Sequence, residues 1–257
     1  VRAVRYAISD TLVLARRSFL RILRAPDLLL SFTVQPLMFV LLFAYVFGGA
    51  IKTPGYDYID FLIPGIIVQT MSFGGFVTAL GLAEDLKKGL VDRFRSLPMS
   101  RAAVLAGRTL SDVATNAVSI AIMLVVGVIA GFSFDAPLAH IVAGILLLLL
   151  FGYAFSWVFA FVGLTSSSPE AAQSLGFIVI FPLTFISSAF VPVDSMPGVL
   201  QAFAEVNPFT ITVDAMRSLF LGAPAGNSVW GAVLWSVGIA IVFATLSVRR
   251  YKRAVVR

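Results

Sequence analysis

Residues 138–164 read LAHIVAGILLLLLFGYAFSWVFAFVGL, without a single Asp, Glu, Lys or Arg. A helix rises about 1.5 Å per residue, so about 20 such residues cross a hydrocarbon layer roughly 30 Å thick. Runs of the same kind recur at about 28–50, 59–83, 109–134, 171–193 and 229–248. Polar turn clusters separate them, among them Lys52-Thr53-Pro54-Gly55, Phe134-Asp135-Ala136-Pro137, Ser166-Ser167-Ser168-Pro169 and Ala223-Pro224-Ala225-Gly226. A segment inside a bilayer must satisfy its own backbone, and six runs of helix length favour helices over barrel strands. The expectation is an all-α membrane protein with six transmembrane helices in a single domain, residues 1–257.

Composition agrees. Of 257 residues, 59% are hydrophobic and 12% charged, and the mean hydropathy is +0.98. A soluble domain keeps about half its residues apolar and about a quarter charged. The excess has no soluble core to occupy, and the short polar stretches leave no room for a second soluble domain. Cysteine is absent, which excludes disulfides and thiolate metal sites.

Charge placement orients the spans. Arg2, Arg5, Arg16, Arg17, Arg21 and Arg24 precede the first. Lys87, Lys88, Arg93, Arg95, Arg101 and Arg108 lie between the second and third. Arg249, Arg250, Lys252, Arg253 and Arg257 follow the last. Of the 19 basic residues, Lys52 and Arg217 alone fall on the other side. By the positive-inside rule both termini are cytoplasmic. The net charge of +6 is therefore a topology signal, and no nucleic-acid partner is expected. The first apolar run is too long for a signal-peptide core and lacks a small-residue cleavage site.

Three segments do not cross. In residues 2–24, Val4, Ile8, Leu12, Ala15, Phe19 and Leu23 recur every three or four positions opposite Arg2, Arg5, Ser9, Arg16 and Arg17. That pattern suits an amphipathic helix on anionic lipid, ended by Pro26. The stretch Glu84 to Pro98 is longer than a plain connection needs. It mixes charges with Leu86, Leu90, Val91, Phe94 and Leu97, a helical face suited to another protein. Ser100 is placed to cap the next helix. Residues 191–228 contain two half-length apolar helices, 199–206 and 210–221, around Asn207-Pro208. A re-entrant hairpin and an ordinary outer loop with an amphipathic helix both fit. Asp214 and Arg217, three apart, are spaced to pair across one turn.

Some chemistry is missing. Asp60, Asp112 and His140 sit at span ends, and span interiors lack ionisable side chains of the kind that line proton or ion pathways. No Gly-rich phosphate loop ending in Gly-Lys-Ser/Thr is present. One histidine supports neither a metal site nor a serine nucleophile, so no catalytic residue and no metal are expected.

With these features in place, the chain resembles the permease subunits of type-2 ATP-binding-cassette exporters, nearest the daunorubicin-resistance type. The stretch from Glu84-Asp85 through Lys88-Gly89 to Ser96-Leu97-Pro98-Met99-Ser100 carries the resemblance. So does Asn207-Pro208-Phe209-Thr210, followed by Asp214-Ala215-Met216-Arg217. The order of these motifs on a six-span frame extends the likeness over essentially the whole chain.

The resemblance implies an elbow helix at 2–24, a coupling helix at 84–98 and outer re-entrant helices at 199–222. The ATPase-coupling residues would be Glu84, Asp85, Lys87, Lys88, Gly89, Arg93, Phe94, Arg95, Leu97 and Pro98. It also implies two ABC ATPase subunits that hold ATP and Mg, a second permease copy forming a homodimer, and a prokaryotic inner or plasma membrane. Spans one, two and five would line the path for an amphiphilic drug or lipid. Those spans carry Phe32, Phe39, Phe43, Gln69, Met71, Phe73, Phe177, Phe181 and Phe185. Aromatic side chains and methionine adapt to varied apolar cargo, although such a stripe also suits packing or lipid contact. A secondary transporter or channel that needs no ATPase, or a membrane scaffold without transport, remains open on the residues alone.

Overall fold

The computed structural model describes residues 34, 36–48, 51, 53, 55, 57–87, 101–224 and 226–254, apart from the side chains of 101–104, 106, 107 and 252–254. The expected elbow helix, Phe32, and the coupling residues Lys88, Gly89, Arg93, Phe94, Arg95, Leu97 and Pro98 lie outside the described residues, as do Lys52 and the Ser100 cap.

Among the described residues every regular element is helical. Helix α1 is Pro36–Phe47, its last six residues wound as a π-helix. Then follow α2 (Tyr58–Phe73), α3 (Phe76–Lys87), α4 (Arg101–Ile129), α5 (Leu138–Thr165), α6 (Pro169–Phe185), α7 (Gly198–Val206), α8 (Pro208–Leu221) and α9 (Ser228–Ala254). Four stretches are long and apolar enough to cross a membrane: Tyr58–Lys87, Arg108–Ile129, Leu138–Thr165 and Ser228–Tyr251. The first and fifth expected spans are represented by the shorter apolar helices α1 and α6.

Helix α5 is the axis of the bundle, touching α2, α3, α4, α6, α8 and α9. It is apolar all round, as a helix enclosed by others must be. Phe151, Phe155 and Phe159 on it are fully buried with Phe209, Phe220, Leu62, Ile63, Ile66 and Met71. Several neighbours come close enough that only glycine fits. A side-chain carbon on Gly163 would collide with the Ala79 backbone, and one on Gly65 with the Ala189 carbonyl. Small residues at such crossings let helices approach where the lipid offers no hydrophobic push.

Three spans depart from the hydropathy reading. The second, expected unbroken over 59–83, is interrupted by a turn at Gly74–Gly75. The third begins at Arg101, well before the apolar run, and ends at Ile129, where Gly131 turns the chain with a φ of 105°. The fifth, expected to reach residue 193, stops at Phe185, three residues beyond Pro182. Apolar composition continues past these points, so hydropathy is blind to where the helix stops. The two outer half-helices, by contrast, are where the residues placed them, divided at Asn207.

Candidate functional site

A helix that stops inside a bundle leaves its last carbonyls without donors. Here the missing donors come from α8. The Asn207 side-chain amide donates to Leu183 O at 2.7 Å and to Ile186 O at 2.6 Å. Its oxygen meanwhile caps α8 by accepting from Phe209 N at 2.9 Å, with Pro208 at the first helical position. One asparagine thus closes the end of α6 and starts α8.

Arg217, two and a half turns along α8, completes the clamp. It is only 6% exposed. Its guanidinium donates to Phe61 O from Nε and Nη2 (3.2 and 2.8 Å) and to Ser188 O from Nη2 (2.7 Å). Nη1 pairs with Asp214 Oδ1 at 2.9 Å and reaches Ser188 Oγ at 3.2 Å, so the pairing expected from the spacing is present. The guanidinium also lies 3.6 Å from the centre of the Phe61 ring, a cation–π contact. Ser188 N–H donates to Thr210 Oγ1 at 3.2 Å, and Ser188 Oγ to Asp214 Oδ1 at 2.9 Å. The planar fork of arginine suits several carbonyls at once, which a lysine cannot match. Helix α2, the turn after α6 and helix α8 are joined at this one point.

Below it lies a second polar line, between α3 and α4. Asp85 Oδ2 pairs with Arg108 Nη1 at 2.9 Å. One turn farther along α4, the Asp112 carboxylate accepts from Thr78 Oγ1 at 2.7 Å. Asp112 is buried, one turn inside Arg108, although its sequence position placed it at the edge of a span. One turn farther still, the Asn116 amide sits between Gly74 and Gly152. Hydropathy could not have found this line, because Arg108 and Asp112 are paired to residues on another helix. A fourfold spacing of Arg108, Asp112 and Asn116 is the one signal the sequence holds for it.

The expected path residues divide into two groups. Phe39, Phe43, Phe73, Phe177, Phe181 and Phe185 lie in two ring clusters at the part-exposed surface. Phe73 and Phe177 lie 6.0 Å apart, Phe181 stacks on Phe185 at 4.3 Å, and Phe185 meets Phe190 at 5.4 Å. Phe190 in turn meets Phe43 at 4.5 Å and Phe39 at 6.0 Å. Phe177 and Phe181 are exposed, Phe181 by 53%. Gln69 and Met71 are buried in the core instead, away from this surface. Phe190, which ties spans one and five together, had no periodic signal to reveal it. Of the expected coupling residues, Glu84, Asp85 and Lys87 occupy the C-terminal end of α3, with Asp85 paired to Arg108.

Residues 9–221 match the family described as ABC-2 type transporter. The chain is 36% identical over 246 residues to the daunorubicin resistance ABC transporter permease protein DrrB1 of Streptomyces coeruleorubidus, covering 96% of this chain and 87% of that protein. It is 26% identical to the probable doxorubicin resistance permease DrrC of Mycobacterium tuberculosis, over 98% and 91% of the two chains. It is 27% identical to the putative transport permease ycf38 of Cyanophora paradoxa, over 84% and 75%.

Proposed function

From the chain's membership of the ABC-2 type transporter family, which a match over residues 9–221 establishes, we propose that it is the membrane half of an ATP-driven exporter. In this reading a separate ATPase chain, with ATP and Mg, engages the cytoplasmic segment 84–98, and two permease copies pair so that a cleft forms between them. Closure of two ATPase subunits moves that segment, and the motion passes through span two to the outer clamp. All six apolar segments cross a prokaryotic cell membrane with both termini inside.

The observation that carries the cargo class is the exposed pair Phe181 and Phe185, continuous through Phe190 with Phe43 and Phe39, with exposed Phe177 on the same helix. Flat, polarisable side chains suit a planar amphiphile or a lipid tail, binding by area rather than by directed hydrogen bonds. Two relatives carry names referring to resistance to daunorubicin and doxorubicin, which accords with an amphiphilic small molecule. The Asn207 and Arg217 contacts keep the outer hairpin on spans two and five, where it would shut the outer end of the path.

The experiment is reconstitution. The permease and the ATPase encoded beside it are purified together, placed in vesicles and supplied with ATP and a fluorescent anthracycline. ATP-dependent movement of the dye to the side opposite the ATPase supports the reading. Movement without the ATPase would replace it with a secondary transporter or channel.

A further inference from the structure

We propose that span two works as two half-helices hinged at Gly74–Gly75, with Asn116 as the residue that positions the hinge; this rests on the exporter reading above.

The two halves both pack on α5 but are held by different polar contacts. The outer half, α2, is bound to the clamp. Arg217 holds Phe61 O, the Tyr58 hydroxyl donates to Phe190 O at 3.1 Å, and Gly65 is pressed on the Ala189 backbone. The inner half, α3, is bound to α4 and α5. Asp85 pairs with Arg108, Thr78 donates to Asp112, and Ala79 is pressed on Gly163. The cytoplasmic segment 88–100 joins α3 to α4, so a push on it reaches the inner half first.

Between the halves stand two residues without side chains. Gly74 N–H still donates to Thr70 O at 3.2 Å, and Ala79 N–H to Gly75 O at 3.1 Å. The turn therefore keeps the span nearly continuous, and the missing side chains let Asn116 and Phe159 press directly on its backbone. Glycine is the residue of lowest cost for such a joint and a poor choice for a plain helix interior.

Asn116 fills the space beside this joint. A side-chain carbon on Gly74 would strike its Oδ1, and one on Gly152 its Nδ2. The residue is 1% exposed, and Nδ2 has no hydrogen-bond acceptor. A buried donor without an acceptor is unfavourable, so this arrangement is held at a cost that another can relieve. A turn of α3 about the joint that gives this amide an acceptor would be the hinge's second resting position.

The test uses the full complex with its ATPase in lipid nanodiscs. The chain has no native cysteine, so spin labels go on Asp57→Cys and Leu80→Cys, positions separated by roughly 35 Å of helix at about 1.5 Å per residue. Pulsed dipolar spectroscopy then compares the resting complex with one trapped by ATP and vanadate. A hinge shortens the mean distance on trapping, and Asn116→Ala broadens the resting distribution. Adding Gly74→Ala to Asn116→Ala, so that the new methyl has room, suppresses the shortening. A complex that transports while the wild-type distance stays fixed overturns the hinge and leaves the exporter standing. A chain that binds no ATPase takes both down. An unchanged resting distribution in Asn116→Ala removes Asn116 from the mechanism.

Discussion

Arg217 Nη2 donates a 2.8 Å hydrogen bond to the carbonyl oxygen of Phe61, 156 residues earlier in the chain. A carbonyl in a helix normally serves its own backbone, and Pro64 lies three residues on. Proline disturbs the bonds of the preceding turn, and a buried guanidinium is the strongest donor that could be sent to that turn. Leaving the buried carbonyls of Phe61 and Ser188 without their donor costs about 1–3 kcal/mol each, while the half-exposed Asp214 carboxylate can turn to solvent. We therefore expect Arg217→Met to lower the thermal midpoint of the purified protein sharply. Arg217→Lys should fall between, since it keeps charge without the fork. An unchanged midpoint for Arg217→Met, read by size-exclusion after heating, removes the clamp from the account.

Asn207 separates two roles by chemistry. Aspartate caps a helix as well as asparagine does, but it cannot donate to Leu183 O and Ile186 O. If closing the end of α6 is the larger role, Asn207→Asp should be at least as destabilising as Asn207→Ser. The expected loss is about 1–3 kcal/mol for each buried carbonyl left without a donor. A fully stable Asn207→Asp would show that capping α8 is all that matters.

Exposure decides what the aromatic residues are for. Phe181→Ala removes an exposed ring stacked on Phe185 and should leave assembly intact while altering cargo-stimulated ATP hydrolysis. Phe159→Ala, by contrast, empties a buried site against Phe76 and should cost about 3–5 kcal/mol. If Phe181→Ala loses assembly and the surviving complex keeps its cargo preference, the ring belongs to packing.

Sidedness follows from the basic residues. Single cysteines at Asp135 and Ser195 should react with an impermeant maleimide on intact cells, and those at Arg16, Lys88 and Lys252 should not. Outside labelling at Lys88 contradicts the six-span arrangement.

The cytoplasmic segment separates anchoring from steering. Rim charges mainly tune encounter, whereas a buried aromatic anchor in an interface is worth about 2 kcal/mol or more. Phe94→Ala should weaken capture of the ATPase more than Lys87→Ala and uncouple hydrolysis from transport. Pull-down at matched expression measures the difference. Equal capture by wild type, Phe94→Ala and a Gly/Ser replacement of the segment would end the coupling role.

Four apolar spans and the two half-helices around Asn207 were legible because hydropathy and proline-asparagine punctuation are local signals. The breaks at Gly74–Gly75 and after Phe185 were not. Apolar residues continue through both, and the donor that closes the end of α6 stands elsewhere in the chain, at Asn207. Arg217 could be paired with Asp214 from their spacing alone, yet its hold on Phe61 and Ser188 joins residues that only the fold brings together. Asp112 looked like a boundary charge for the same reason. Its partner Thr78 lies on a helix whose crossing with α4 no periodicity records.

Helix α9 sits at the rim of the bundle, with 17% of its apolar window buried, against 67% for α5. Trp230, Leu234, Ile241 and Val242 on it face outward, and the family match ends at residue 221, before it begins. Lipid demands oiliness from such a surface but no particular shape. A saturation library should therefore find the outward positions of α9 permissive to almost any exchange among apolar residues, and its buried positions, such as Ala232 and Ser236, permissive to few. Sequence drift among relatives should pool in the last helix, making it the place to graft a fluorophore or retune membrane fit without disturbing the machine.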